Sequence, residues 1–242
     1  MLEKMISNLS TTLIVNSYEC FPVQTKKNEN LSHKLIREKY DATDLILISR
    51  LISRLIGTEI IGESKFNFEP FGDSGSFLVK AKECLSNSGV THLKESHISF
   101  HTYIEDINTE FLIVRLEYHI CSCSDYNVFD SIKAILPNSL KSETIPTPDL
   151  ITLDYIRRGA KFNSSSNHIN FDYHNAKHIC EKTDYKLIND TNLTHINGTR
   201  QLLCGLNNAD VLNKLKNFSY DVSQNDVEFF MSFLQKTYCT YS

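Results

Sequence analysis

The sequence predicts an α+β fold in which helices cover an antiparallel sheet. Short β-rich runs follow one another across short turns, the longest alternates an apolar and a polar face, and helical periods are few. Residues 1–40 read as polar and weakly patterned. Asp41 to Gly57 read as the clearest helix. Leu45, Ile48, Ile52, Leu55 and Ile56 recur at helical spacing, Asp41 or Thr43 can cap its start, and Gly57 stands where a left-handed C-terminal residue is favoured. β-rich runs follow at 58–61, 66–68, 76–81 and 97–103. The longest strand candidate is 111–123. Val114, Leu116, Tyr118 and Ile120 share one parity, while Arg115, Glu117, His119, Cys121 and Cys123 share the other, so one face packs and one is available for chemistry. A helix is expected over 128–136, then a connection with Pro137, Pro146 and Pro148, strands near 149–156 and 167–173, and helices near 207–217 and 224–238.

The 242 residues suit one large domain around a single core, and 41% hydrophobic with 22% charged residues is ordinary for a globular protein. A net charge of −4 with no basic run argues against nucleic acid as a partner. Seven cysteines without a C-x-x-C pair suggest reduced thiols inside a cell. The first residues show no signal peptide pattern, and the apolar run at 45–56, broken by Arg50 and Arg54, is too short to span a bilayer. The expectation is a cytoplasmic protein with no membrane partner.

The segment Glu95-Ser96-His97-Ile98-Ser99-Phe100-His101-Thr102-Tyr103-Ile104-Glu105 carries the most information. It resembles the K/E-S-H-x-x-x-H-T-Y/W-P-E motif of the S-adenosylmethionine decarboxylase proenzymes, around the serine at which they cut themselves. Three further stretches fit in order. Phe68-Glu69-Pro70-Phe71-Gly72-Asp73-Ser74 is similar to F-x-P-x-G-x-S. Val114-Arg115-Leu116-Glu117 through Ser122-Cys123 is similar to F-R-A-D…T-C, and Asp149 to Tyr155 with Arg158-Gly159 to a stretch of the longer bacterial enzymes. The resemblance spans roughly residues 40–175.

Self-cleavage needs a hydroxyl placed to attack the preceding carbonyl. Ser96 and Glu95 supply that pair, giving a first chain 1–95 (beta) and a second chain 96–242 (alpha) with a pyruvoyl group at 96. The resemblance implies Ser74 as oxyanion donor and His101 as the base that removes the α-proton, a task suited to a near-neutral imidazole. It implies Cys123 as the donor that returns a proton to the substrate carbon, Phe68 as the ring stacked on adenine, and Glu105 as the partner of the ribose hydroxyls. The cofactor it implies is the pyruvoyl group itself. Mg²⁺ enters only through some longer bacterial members, since no carboxylate cluster marks a site. The implied fold is a two-layer α/β sandwich whose protomers pair into an αββα stack, a homo-oligomer of cleaved chains serving polyamine synthesis from S-adenosylmethionine.

Other readings stand beside these. His97 matches the motif and is expected to support the loop. Cys121 and Cys123 form a C-x-C pair, and His174 and His178 stand at helical spacing, but neither pair has the further ligands that a zinc site needs. Ile104 and Ser124 replace the family's Pro and Gly, which also fits a decarboxylase diverged towards ornithine or arginine. A non-catalytic regulatory homologue is the third reading. Finally, Ser96 and His101 have opposite parity on a regular strand, so their meeting calls for a break or bulge at the scission point.

Overall fold

The computed structural model describes residues 6–7, 10–23, 25–67, 73–81, 95–106, 111–123, 126–136, 146–159, 161–162, 176–181, 183, 185–193 and 198–204, with 225, 228 and 232. In chain order the elements are β1 (Ile6–Ser7), β2 (Ser10–Pro22), α1 (Lys26–Lys39), α2 (Ala42–Leu55), β3 (Thr58–Asn67), β4 (Asp73–Ala81), β5 (Glu95–Asp106) and β6 (Phe111–Ser122). A 3₁₀ turn at Val128–Ser131 leads into α3 (Ile132–Ile135). Then come β7 (Leu150–Arg158), β8 (Lys161–Phe162), α4 (Lys177–Cys180), β9 (Lys186–Leu193) and β10 (Gly198–Cys204). Eight strands form one antiparallel sheet in the order β3-β4-β5-β6-β2-β7-β10-β9, and β1 pairs with β8 apart from it.

Alternation on the central strands builds the core. Val114, Leu116, Tyr118 and Ile120 of β6 lie in register with Leu13 and Val15 of β2 and with Ile98 and Phe100 of β5, and all are buried. Ile151, Leu153 and Tyr155 of β7 extend the same face. Leu45, Ile48 and Ile52 of α2 and Phe129, Ile132 and Ile135 beyond β6 cover it, so the helices pack on one side. Each such side chain contributes roughly 1.5–3 kcal/mol when buried. Tyr118 donates its hydroxyl to the Leu45 carbonyl at 3.2 Å, which fixes α2 against the sheet centre.

Asp41 caps α2 by accepting from the Thr43 amide at 2.8 Å, and Gly57 ends it with φ +65°, as the sequence predicts. The expected run at 58–61 and the described part of that expected at 66–68 are one strand, β3, and the helix expected at 128–136 is the 3₁₀ turn followed by one short α segment. The expected strand at 167–173 and helix at 207–217 lie outside the described residues, as does the helix at 224–238 apart from residues 225, 228 and 232.

The largest correction concerns residues 1–40, which contain the central strand of the sheet and a helix. Thr11, Ser17 and Glu19 take core-facing positions on β2, and Asn28 and Ser32 take the buried stripe of α1, so polarity hides both periods. The polar groups are bonded. Glu19, wholly buried, accepts from Lys39 Nζ at 2.6 Å, Tyr40 Oη at 2.8 Å, and the Thr147 amide and hydroxyl at 3.2 and 3.1 Å. Ser17 donates to the Leu116 carbonyl and Ser32 to that of Pro22.

Candidate active site

The sheet face turned away from the helices carries the other parity, and two of its rungs bring chemistry together. One rung sets Ser74 of β4 opposite His101 of β5, His101 opposite Glu117 of β6, and Glu117 opposite Asn16 of β2. Directly opposed residues have Cβ atoms about 4.5–5.5 Å apart. A hydroxyl residue, an imidazole and a carboxylate thus follow one another across three strands. Glu117 is held on both sides along its own strand: Arg115 Nη1 donates to its Oε2 at 3.0 Å, and His119 Nε2 lies 2.8 Å from its Oε1. Arg115 in turn stacks over the Tyr103 ring at 4.1 Å, a cation–π contact worth roughly 0.5–1 kcal/mol where partly solvated. The His101 and Tyr103 rings lie 6.2 Å apart.

The second rung sets His97 of β5 opposite Cys121 of β6, and Cys121 opposite Thr12 of β2. Thr12 Oγ1 is 3.5 Å from Cys121 Sγ. Burial pushes the Cys121 thiol up, but hydrogen bonds with His97 and Thr12 and the charges of His97 and Arg158 outweigh it, leaving the thiol below its ordinary value. The His97 imidazole is raised, first by its bond to Cys121 and against burial.

The expected scission point borders this second rung, Ser96 being the residue before His97 and of the opposite parity. Ser96 is paired only on its β4 side, opposite Val79, because the β5–β6 ladder begins one residue later at His97. Cys123 follows the last residue of β6, two positions beyond Cys121, at the same end of the sheet. The β4–β5 register runs without a shift from Glu95 to His101, so the break expected between Ser96 and His101 is not present. Five residues of regular strand separate Ser96 from His101 by ~16 Å. One chain therefore sets Ser96, His97, Cys121 and Cys123 at one end of the strands and Ser74, His101 and Glu117 several rungs away.

Glu105 lies four positions past His101 on β5, opposite Ile113. Phe68, Ser124 and His174 lie outside the described residues, and His178 lies in α4. Among the described residues no cluster of three His, Cys, Asp or Glu could hold a metal ion, and no helix is long and apolar enough to cross a membrane. The sequence reading did not assign Glu117 and Cys121 to the site. Their parity was readable, whereas their partners across the ladder depend on register.

Fold and face define a two-layer α+β protein with a sheet surface carrying paired imidazole, thiol and carboxylate groups. In sequence, 97 curated proteins match this chain, among them S-adenosylmethionine decarboxylase proenzymes. That of Xylella fastidiosa (strain M23) is 29% identical over 166 residues, covering 63% of this chain and 60% of its own. Those of Xanthomonas campestris pv. campestris (strain B100) and Stenotrophomonas maltophilia (strain K279a) are 28% identical over the same shares. The chain thus spans about 60% of the length of the curated relatives it matches. No family model matches. The crystal structure of the adenosylmethionine decarboxylase from Aquifex aeolicus VF5 aligns with 70% of this chain and 99% of its own at 11% identity, with a TM-score of 0.32, a distant likeness.

Proposed function

We propose that this chain is a self-cleaving, pyruvoyl-dependent decarboxylase of S-adenosylmethionine, acting in the cytoplasm to make the aminopropyl donor of spermidine synthesis. The observation that carries the reading is the end of the sheet where the Glu95–Ser96 bond borders the His97–Cys121 rung, with Ser74 opposite His101 farther along the same strands, in a chain whose relatives bear that proenzyme name. The Ser96 hydroxyl attacks the Glu95 carbonyl. The Glu95–Ser96 C–N bond breaks as the ester C–O bond forms, and the hydroxyl proton passes to the Ser96 nitrogen. Ser74 donates to the oxyanion, a contribution worth roughly 3–4 kcal/mol. His101 then takes the α-proton of residue 96, the ester breaks to leave the Glu95 carboxylate, and hydrolysis with loss of ammonia leaves a ketone at 96.

Position 96 fits such a group, since one-sided pairing lets a new chain end leave the pleat. The pyruvoyl carbonyl supplies an electron sink for an amine substrate, as pyridoxal phosphate does. Around it Phe68 stacks on the adenine, Glu105 accepts from the ribose hydroxyls and Cys123 Sγ gives a proton to the substrate carbon. No Mg²⁺ role is assigned.

The ~16 Å between Ser96 and His101 requires a second source for the base. A second copy laid against this sheet face in the opposite sense supplies it, bringing the His101 rung of one protomer to the Ser96 end of the other, where residue 96 turns out of the pleat to meet it as the two sheets stack into an αββα homo-oligomer. Intact mass and a denaturing gel test the cut. The wild type should give chains of 95 and 147 residues, the longer without a free amino terminus, and Ser96→Ala a single chain. A wild type that stays whole sinks the proposal. Ser96→Ala and His101→Ala chains expressed together should recover cutting of the His101→Ala chain. Recovery failing while each fold is intact places the base within one protomer.

A further inference from the structure

The second rung holds more than the scission point requires. Cys121 is a second thiol at that end of the sheet, half-buried and not in a disulfide, directly opposite His97 and 3.5 Å from the Thr12 hydroxyl. His97 is the residue next to Ser96 and is itself exposed. We propose that Cys121 and His97 form a thiol–imidazole pair that holds one transferable proton at the reacting end of the sheet, a second proton source beside Cys123. The inference rests on the decarboxylase reading for its substrate, and on the rung alone for the pair.

The chemistry follows from the neighbours. On β6, His119 shares the face two residues away and is tied to Glu117. On β2, only the neutral Thr12 faces the thiol. On β7, Arg158 lies near enough for its charge to favour a thiolate. On β5, His97 is the direct partner and Glu95 holds the next position of like parity. Two cationic groups and a hydroxyl donor all favour the charged sulfur, so the mobile proton is shared between Sγ and the imidazole. When a substrate carbon with a developing electron pair takes that proton, a C–H bond forms and the S–H or N–H bond breaks. The pair is left one proton short, as thiolate and neutral imidazole, and water restores it.

Alkylation by iodoacetamide, followed by peptide mass mapping of the full chain across pH, reads the pair without any turnover. Cys121 should label at a lower pH than Cys180, whose thiol burial pushes up. His97→Asn should slow Cys121 labelling about tenfold at pH 7 and move its midpoint upward, with Cys180 unchanged as the internal control. Labelling of Cys121 at the pH of an ordinary thiol, or unmoved by His97→Asn, overturns the pair whatever the substrate is. In turnover of S-adenosylmethionine, Cys121→Ser should lower kcat about tenfold with KM unchanged and displace the pH profile. An unchanged rate and profile overturn the role in proton supply. Wild type that labels as expected yet releases no CO₂ from S-adenosylmethionine overturns the substrate assignment and leaves the pair standing.

Discussion

Replacing Lys39 by Met tests the account of how polar residues 10–40 are folded. Glu19 is wholly buried, and the Lys39 ammonium, whose own side chain is only 17% exposed, pairs with it at 2.6 Å. Three neutral donors remain after the change, from Tyr40 and Thr147. Removing one partner of a fully buried pair costs ~3–5 kcal/mol. The surviving donors and the partial exposure of Lys39 bring the expected loss to about 2–3 kcal/mol, near the value of one charged hydrogen bond. With a urea dependence of roughly 2–3 kcal/mol per molar, the unfolding midpoint should fall by about 1 M. Measurement on the Ser96→Ala background keeps scission from complicating the curve. The double variant Glu19→Leu with Lys39→Met should recover part of the loss, because neither charge of that pair is left buried without the other. A single variant within error of its parent, or a double variant that loses the sum of the two singles, refutes the reasoning.

Two other outcomes follow from the same packing. Gly57→Ala should destabilise by ~1–2 kcal/mol, because φ is +65° and the new Cβ meets the Tyr126 ring; Tyr126→Ala beside it should relieve the clash and leave the backbone strain, as thermal unfolding will read. Tyr40 is held well above the ordinary tyrosine value of 10.0 by burial and then by the Glu19 charge, and Tyr118 is raised by burial. The folded chain keeps these protons while the unfolded chain loses them near pH 10, so this stability is complete below pH 10 and declines above it. Absorbance at 295 nm should show both rings ionising only as the fold is lost. Full tyrosine ionisation with native circular dichroism retained contradicts this.

What the sequence revealed, and what it hid, divides by the chemistry of the buried face. α2 and β6 were readable because Leu45, Ile48 and Ile52, and Val114, Leu116, Tyr118 and Ile120, place apolar groups at most inward positions. β2 and α1 were not, because Glu19 and Ser32 stand inward and are satisfied by residues distant in sequence or across a turn. The site shows the same limit. Parity assigned Arg115, Glu117, His119 and Cys121 to one face from the sequence alone, yet which of them meets His97 and which meets His101 is a matter of register between β5 and β6, fixed by the whole ladder. His97, expected to support a loop, lies within β5 as the partner of Cys121.

The strand order has one more consequence. β2 comes from the segment before residue 95, yet it lies between β6 and β7, both from the segment after it, while β4 lies against β5. A nick between Glu95 and Ser96 would sever the polypeptide without opening the sheet. The two pieces would stay interleaved like the fingers of clasped hands, migrating together under native conditions. Pulling them apart would require removing the middle strand, and separately made halves would have to fold around each other to regain the same body.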